Sequence, residues 1–227
     1  MNQKFTILFD LDGTLVDTAP DLMLAHNHVM KKFGYPTKST EDIRNLVGKG
    51  AGALIGRSIW GQAKQEFSKV SDEKIKAEII KEFINFYGKN ILNESTLVNG
   101  VKKFLIWCKK ENISMAVCTN KTEHLAVDLL KKIGIYDYFE YVAGHNTFEY
   151  CKPDPRHLTS VVEILGGNIE KTLMIGDSET DANAAKNADI PVILLEDGYT
   201  EKNTTEIYHN HLIKDFVGIE KIILEYL

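Results

Sequence analysis

Hydrophobic positions along the chain follow two different spacings, and the change between them falls near Asn99. After a first short apolar run, hydrophobic residues recur every three to four positions, which is the spacing of amphipathic helices. Beyond Asn99, short continuous apolar runs alternate with further helical patterns. Runs without polar alternation are typical of strands that are buried on both faces, as in a parallel sheet. The pattern therefore predicts a helical segment followed by an α/β segment.

Five apolar runs are predicted as strands of that sheet. They cover residues 5–9, 113–119, 139–143, 172–177 and 191–195. Helical patterns separate the later runs, and a closing helix is predicted over residues 217–227. Strands that alternate with helices indicate a parallel, doubly wound sheet. The fold class that follows is α/β, with a Rossmann-like parallel sheet core.

The helical segment lies between the first strand and the rest of the sheet. Its first helix is predicted to begin at Thr18, whose hydroxyl would cap it, and to end at Gly34. Three further helical patterns follow before the next strand-like run. We therefore predict an α-helical domain of residues 18–93, inserted into a core that is made of residues 1–17 and 94–227.

Composition and charge argue against several kinds of partner. The net charge is −5 at pH 7, and an acidic balance argues against nucleic acid, because phosphate contacts need a basic surface. No apolar run approaches the roughly 20 residues that span a bilayer, and no cleavable signal is recognised, so we expect a cytoplasmic protein without a membrane partner. The three cysteines lack a metal-site spacing and fit reduced thiols. The oligomeric state stays open between monomer and homodimer.

Polar residues replace the apolar pattern where three of the predicted strands end. They are Asp10 and Asp12, Thr119 and Asn120, and Asp177 with Asp181. Because ligands bind at the carboxyl ends of parallel strands, we expect these side chains to meet at one edge of the sheet. Carboxylates gathered in this way repel one another unless a cation binds them, and oxygen ligands without a histidine or cysteine pattern favour Mg²⁺ over Zn²⁺. Taken singly, these motifs also fit turns or helix caps, and Asp177 could be the N-cap of the next helix.

Four segments of the chain resemble, in order, the motifs of the haloacid-dehalogenase (HAD) superfamily of phosphatases. The first is Asp-Leu-Asp-Gly-Thr-Leu at residues 10–15, and Thr119 resembles the second motif. Lys152, in the segment Lys-Pro-Asp-Pro, resembles the third, and residues 176–181 resemble the fourth. The resemblance covers nearly the whole chain, and it implies a HAD-like catalytic core with residues 18–93 as a helical cap domain.

The resemblance implies a mechanism for the carboxylates at the strand ends. Asp10 would attack phosphorus and form an aspartyl-phosphate, and Asp12 would act as general acid and then as general base. Mg²⁺ would bind the carboxylates of Asp10 and Asp177 and the backbone carbonyl of Asp12. Asp181 would orient Lys152 or a metal-bound water.

The resemblance also implies how a phosphorylated substrate is bound. Three polar residues would contact the phosphoryl oxygens, namely Thr119, Asn120 and Lys152. Lys49 lies in the glycine-rich segment 48–52, which is predicted to connect two helices and which in this superfamily reaches over the active site. We therefore expect Lys49 to contact the substrate. Arg44 and Arg57 are further candidates in the same helical segment.

Three segments resemble those of bacterial phosphoglycolate phosphatases in particular. They are residues 47–51, 176–182 and 196–199. This resemblance implies hydrolysis of a small phosphorylated metabolite, 2-phosphoglycolate. Haloacid dehalogenation and phosphonate hydrolysis are disfavoured, because neither has a use for an acid at Asp12. A sugar-phosphate phosphatase, a pyrophosphatase, a β-phosphoglucomutase-like enzyme and a catalytically idle binding protein on the same scaffold stay open.

Overall fold

The computed structural model describes residues 3–61 and 70–227, and a parallel sheet lies at its centre. The described strands are β1 (Thr6–Phe9), β2 (Val16–Asp17), β3 (Thr96–Leu97), β4 (Ser114–Cys118), β5 (Tyr141–Ala143), β6 (Thr172–Gly176), β7 (Val192–Leu195) and β8 (His211–Ile213). The described helices are α1 (Ala19–Phe33), α2 (Thr40–Arg44), α3 (Ala51–Trp60), α4 (Val70–Lys89), α5 (Val101–Lys110), α6 (Glu123–Ile133), α7 (Arg156–Ile164), α8 (Glu179–Asn187) and α9 (Glu220–Ile223). The main sheet has six strands in the order β5-β4-β1-β6-β7-β8, and a separate pair joins β2 to β3.

The parallel sheet confirms the predicted fold class and explains why polar groups from distant segments meet. β1 lies between β4 and β6 and runs parallel to both, with Phe9 opposite Val117 on one side and Ile175 on the other. The carboxyl ends of the three strands are therefore level with one another. The residues that follow these strands lie together at one edge of the sheet.

Side chains of the sheet pack on both of its faces, which is why the predicted strands carry no polar alternation. Ile7 and Phe9 pack on one face with residues of α5, α6 and α9, whereas Leu8 packs on the other face with residues of α7 and α8. Phe9 also makes an edge-to-face contact with Phe104 of α5, with ring centroids 6.2 Å apart. These side chains are fully buried, and each contributes about 1.5–3 kcal/mol through the hydrophobic effect.

Three short strands and the end of the chain differ from the sequence prediction. The prediction lacks β2, β3 and β8, because two or three residues are too few to show an apolar pattern of their own. The predicted closing helix over residues 217–227 is wrong in length, since α9 covers only Glu220–Ile223. Gly218 has a φ of 81°, which is outside the helical region, so a helix cannot extend through it.

The first helix ends where it is predicted to end, but Thr18 does not cap its start as predicted. α1 ends at Phe33, and Gly34 follows in the left-handed conformation that closes many helices. At its start, the side chain of Thr18 makes no capping hydrogen bond. The hydroxyl of Thr18 instead donates to Oδ1 of Asp12 at 2.8 Å. The predicted cap residue is therefore a contact of the candidate site.

The helices α1 to α4 lie between β2 and β3, and the two ends of this segment are bound to each other. β2 pairs with β3 in antiparallel fashion. The carboxylate of Asp21, in the first turn of α1, accepts hydrogen bonds from the backbone N–H groups of Asn93, Glu94 and Ser95 at 3.0, 3.1 and 3.0 Å. The division of the chain into a core and an inserted cap domain stays a prediction. No helix in residues 3–61 or 70–227 has the length and hydropathy needed to cross a membrane.

Candidate active site

Asp10 and Asp177 follow directly after β1 and β6 and are buried at the carboxyl edge of the sheet. The backbone N–H of Asp10 donates to the carbonyl of Ile175 at 2.9 Å, which continues the strand pairing by one residue and fixes where its side chain begins. Asp181 lies on the first turn of α8. One carboxylate oxygen from each of these three aspartates lies within 4.8 Å of the other two.

Lys152 provides positive charge to this group of aspartates. Its Nζ lies 2.6 Å from Oδ1 of Asp181 and 3.0 Å from Oδ1 of Asp10, and its side chain is buried. Burial disfavours the ammonium form, but the neighbouring carboxylates of Asp10 and Asp181 outweigh that effect and raise the pKa of Lys152. Lys152 therefore stays charged, and it lies beside the carboxylate that was predicted as the nucleophile.

The site nevertheless holds more negative than positive charge. Burial raises the pKa of Asp10 to about 7, with Asp181 and Asp12 adding to the effect and Lys152 opposing it. Burial, together with Asp181 and Asp10, also raises the pKa of Asp177. Buried carboxylates that also repel one another are stabilised in their ionised form by a bound cation. An oxygen-only donor set with excess negative charge fits a hard divalent cation such as Mg²⁺.

Asp181 has its carboxylate oxygens occupied by neighbouring groups. Its Oδ1 accepts from Lys152. Its Oδ2 accepts from the backbone N–H groups of Asp177 and Ser178, at 3.2 and 3.1 Å, and from the Ser178 hydroxyl at 2.7 Å. The contact from the Ser178 backbone N–H belongs to a capping box in which Ser178, and not Asp177, is the N-cap of α8. The alternative interpretation of Asp177 as a helix cap is therefore wrong.

Asp177 is held in place by close backbone approaches. Its Oδ2 accepts from the backbone N–H of Tyr199 at 2.6 Å, and its Oδ1 accepts from the hydroxyl of Thr14 at 3.1 Å. Gly13 has a φ of 81°, and a Cβ atom there would lie 2.2 Å from Oδ2 of Asp177. A Cβ atom on Gly198 would lie 1.8 Å from the Asp177 carbonyl oxygen. A side chain at Gly13 would displace the Asp177 carboxylate, and one at Gly198 would displace the Asp177 backbone.

A small cavity opens from the strand ends toward the helical segment. Its volume is about 50 Å³, which holds roughly three to five water molecules. Four of the predicted site residues line it, namely Asp10, Asp12, Thr119 and Asn120. Apolar side chains from both parts of the chain complete the wall, including Leu22, Leu54, Phe83 and Leu125. Lys152, Asp177 and Asp181 are not among the lining residues.

Asn120 connects the strand ends to the glycine-rich loop that precedes α3. Its Nδ2 donates to the carbonyl of Gly48 at 3.0 Å and to the carbonyl of Lys152 at 2.9 Å. Both amide protons are therefore used within the protein. An Asn120 contact with a phosphoryl group would have to come from its backbone N–H.

Lys121 is the functional candidate that the sequence analysis missed. Its Nζ donates to Oδ1 and Oδ2 of Asp12 at 2.8 and 3.0 Å, and it lies 4.4 Å from the ring centroid of Tyr87 on α4. Burial lowers the pKa of the Lys121 ammonium, but the nearby Asp12 and Tyr87 outweigh it and raise that pKa. Burial likewise raises the pKa of Tyr87 to about 12, so its hydroxyl keeps its proton. The feature of the sequence that could have identified Lys121 as a candidate is its position directly after Thr119 and Asn120.

The basic residues predicted in the helical segment lie away from the cavity. Lys49 does not line it, and lies instead against a second cleft whose wall also includes Asn120, Lys152 and Glu179. Arg44 donates to Oδ2 of Asp17 at 2.7 Å, and Arg57 forms an ion pair with Glu201. Substrate contact by Lys49 therefore stays a prediction.

Comparisons with known proteins agree with this arrangement of motifs. The family model described as haloacid dehalogenase-like hydrolase matches residues 7–195. The phosphoglycolate phosphatase of Agrobacterium fabrum is 37% identical over 223 residues, which is 97% of this chain and 92% of that protein.

Solved structures share the fold over nearly the whole length. A crystal structure from Haemophilus somnus, described as a predicted phosphoglycolate phosphatase, superposes with a TM-score of 0.88 at 31% identity and covers 98% of this chain and 99% of its own. A β-phosphoglucomutase from Clostridium difficile superposes with a TM-score of 0.79 at 23% identity, covering 98% and 97%. The second likeness concerns the fold alone.

Proposed function

The chain belongs to the haloacid dehalogenase-like hydrolase family and is a phosphatase, and from that premise we propose that it hydrolyses 2-phosphoglycolate through an aspartyl-phosphate on Asp10. The observation that carries this proposal is the pairing of Asp10 and Asp12 on the wall of one small cavity, with Lys152 beside Asp10. Two carboxylates of this kind can divide the work between a nucleophile and an acid–base group.

Asp10 is arranged for attack on phosphorus. Its Oδ1 accepts from the backbone N–H of Leu11 at 2.7 Å and is the oxygen nearest Lys152, which leaves Oδ2 for bond formation. In the proposed first step, Asp10 forms an O–P bond while the bond from phosphorus to the ester oxygen breaks. Asp12 gives its proton to that leaving oxygen. General acid catalysis of this type is worth on the order of 10²–10⁴ in rate.

The second step reverses the proton transfer and frees the enzyme. Asp12, now a carboxylate, accepts a proton from a water molecule as that water attacks phosphorus. The Asp10–phosphorus bond breaks, which releases inorganic phosphate and restores the Asp10 carboxylate. Thr18 and Lys121 hold Asp12 in position for both transfers, through contacts of 2.8 Å to its Oδ1.

The phosphoryl group would be held by the polar groups that surround Asp10. Thr119, the backbone N–H of Asn120 and the Lys152 ammonium are the donors that we assign to its oxygens. Mg²⁺ would be held by the carboxylates of Asp10 and Asp177 and the backbone carbonyl of Asp12, with Asp181 holding Lys152. When bound, the ion supplies positive charge that stabilises the phosphoryl oxygens in the transition state.

The size of the cavity favours a small leaving group. A cavity of about 50 Å³ suits a two-carbon acid such as glycolate better than a hexose, which needs considerably more room. The likeness to the Agrobacterium fabrum phosphoglycolate phosphatase supports the same substrate. We therefore favour 2-phosphoglycolate over a sugar phosphate, and hydrolysis over phosphoryl transfer to a sugar.

The test is phosphate release by the purified protein from a panel of esters. The panel contains 2-phosphoglycolate, ethyl phosphate, glucose 6-phosphate, β-glucose 1-phosphate and pyrophosphate, each with Mg²⁺ and with excess chelator. We expect the highest kcat/KM with 2-phosphoglycolate, no turnover with chelator, and no turnover by Asp10→Asn, whose circular dichroism should match the wild type. Phosphate release by Asp10→Asn at the wild-type rate would contradict the mechanism, and a higher kcat/KM with a hexose phosphate would contradict the substrate.

A further inference from the structure

Two buried polar atoms at the cavity have no hydrogen-bond partner among the residues that the structure describes. They are Oη of Tyr87 and Oδ1 of Asn120. Both residues line the cavity, and the Tyr87 side chain is 1% exposed. Buried polar groups are nearly always hydrogen-bonded, so an unpaired phenol on a cavity wall points to a ligand that supplies the missing partner.

Lys121 offers a further donor on the same wall. A lysine ammonium carries three N–H groups, and the contacts of Lys121 to the two oxygens of Asp12 use two of them. The ammonium lies 4.4 Å from the ring centroid of Tyr87. The ammonium also interacts with the Tyr87 oxygen, where it opposes the rise in the pKa of the phenol, so the O–H of Tyr87 is the donor left free beside this positive charge.

Resting on the proposed function, we infer that Tyr87 and Lys121 bind the carboxylate of the leaving group and thereby select 2-phosphoglycolate over uncharged phosphoesters. A carboxylate is an acceptor without donors, and it matches the phenol O–H of Tyr87 beside the positive charge of Lys121. Charge-assisted hydrogen bonds of this kind are the stronger ones in proteins.

The rest of the wall adds to this selection. Leu22, Leu54 and Phe83 are apolar and line the cavity next to Tyr87. Phe83 and Tyr87 also stack with an interplanar angle of 2° and ring centroids 6.0 Å apart, which fixes the direction of the phenol. Apolar neighbours exclude water and so strengthen an ion pair, while they give no partner to the hydroxyl groups of a sugar.

The two donors come from different parts of the chain. Tyr87 lies on α4 of the helical segment, whereas Lys121 follows β4 of the parallel sheet. A carboxylate that binds both would contact the helical segment and the sheet at once. This places recognition at Tyr87 and Lys121, in contrast to the predicted contact by Lys49, which lies outside the cavity.

The experiment compares 2-phosphoglycolate with ethyl phosphate, which has the same length and lacks the carboxylate. The variants are Tyr87→Phe, which keeps the ring stacked, Lys121→Gln, which removes the charge, and Lys49→Ala. For Tyr87→Phe and Lys121→Gln we expect kcat/KM with 2-phosphoglycolate to fall about ten- to a hundred-fold more than with ethyl phosphate. Lys49→Ala should lower kcat/KM with both substrates by the same factor, or leave both values unchanged.

A second readout measures binding without turnover. The inhibitor 3-phosphonopropionate carries the carboxylate, and propylphosphonate does not. Tyr87→Phe should weaken inhibition by the first about tenfold or more and leave inhibition by the second within about twofold. Lys49→Ala should leave inhibition by both compounds unchanged.

The possible outcomes separate this inference from the proposed function. If the wild-type protein shows no preference for 2-phosphoglycolate over ethyl phosphate, the proposed substrate fails. If the wild type shows the preference and Tyr87→Phe keeps it in full, the assignment of the carboxylate to Tyr87 and Lys121 is overturned while the substrate stands. A preference that disappears in Lys49→Ala alone would also overturn the assignment.

Discussion

Asp10 shows how burial and charge together prepare a single residue for two tasks. Its carboxylate is buried beside Asp177 and Asp181, and one ammonium group, that of Lys152, opposes these charges. Burial raises the pKa of Asp10 to about 7, and the neighbouring carboxylates, which add to this rise, create a place for a cation. An ion there would lower that pKa and keep Asp10 ionised, as a nucleophile must be.

A pH-dependent effect of Mg²⁺ on stability follows from the raised pKa of Asp10. An acid whose pKa rises on folding contributes stability at low pH, and this contribution is lost as the pH rises through the folded-state value of about 7. Without a cation, this cost accumulates by about 1.4 kcal/mol per pH unit between the usual carboxyl pKa of 3.8 and about 7, and it is constant above that range. At pH 6 the proton on Asp10 also competes with Mg²⁺, whereas at pH 8 it does not. We therefore expect Mg²⁺ to raise Tm more at pH 8 than at pH 6, as measured by scanning calorimetry in matched buffers.

The control for this measurement is a variant that removes one of the repelling carboxylates. Asp177→Asn should show a smaller increase in Tm with Mg²⁺ at pH 8 than the wild type, because the site then has less excess charge. An equal shift in Tm at both pH values in the wild type, or no shift at all, would contradict the cation site.

Lys121 marks the limit of prediction at the scale of single residues. Asp10, Asp12, Thr119 and Asn120 could be predicted because each interrupts an apolar pattern at a strand end. A lysine that begins the connection to a helix looks like an ordinary surface residue in the sequence. Its contacts are to Asp12, which is 109 positions away along the chain, and to Tyr87 on another element. Packing decides such contacts, and no local pattern carries them.

The elements show a similar division between local and long-range signals. β1, β4, β6 and β7 carry apolar runs that are buried completely, so their sequences alone indicate strands. β2 and β3 have two residues each, and their pairing depends on the helical segment that brings them together. β8 has three residues and pairs with β7 at the edge of the sheet. Strands this short form because a neighbouring strand is already in place to pair with them.

The start of α1 gives a prediction about how the helical segment is attached. The Asp21 carboxylate is 2% exposed, and besides the three backbone contacts it accepts from the Ser95 hydroxyl at 2.6 Å. Asp21→Ala would leave several buried N–H groups without an acceptor. We expect it to lower the free energy of unfolding by about 3–5 kcal/mol, measured by urea denaturation.

A matched aspartate gives the control for this loss. Asp42 also accepts backbone hydrogen bonds, but it is exposed and caps α2 through Ser39. Asp42→Ala should cost much less than Asp21→Ala, because water can replace the contacts of an exposed carboxylate. Equal losses in the two variants would mean that Asp21 is only a local cap of α1.

At the scale of the whole molecule, the site lies where the helical segment meets the edge of the sheet. The sheet provides Asp10, Asp12 and Asp177, and the helical segment provides Tyr87 and the loop whose Gly48 carbonyl accepts from Asn120. Tyr199 adds a further link, since its backbone holds Asp177 while its hydroxyl donates to Asp17. Phosphoryl chemistry is therefore assigned to the sheet, and the choice of leaving group to the contact between the two parts.

The most direct test of this account is the stereochemical course at phosphorus for the phosphorothioate analogue of 2-phosphoglycolate, whose phosphorus is made chiral with sulfur, ¹⁶O and ¹⁸O and which is hydrolysed in H₂¹⁷O. Each in-line displacement inverts the configuration at phosphorus. Attack by Asp10 followed by attack of water comprises two displacements, so the account predicts that the inorganic thiophosphate is released with retention of configuration. Inversion would mean that water attacks the substrate directly, and it would contradict an aspartyl-phosphate on Asp10.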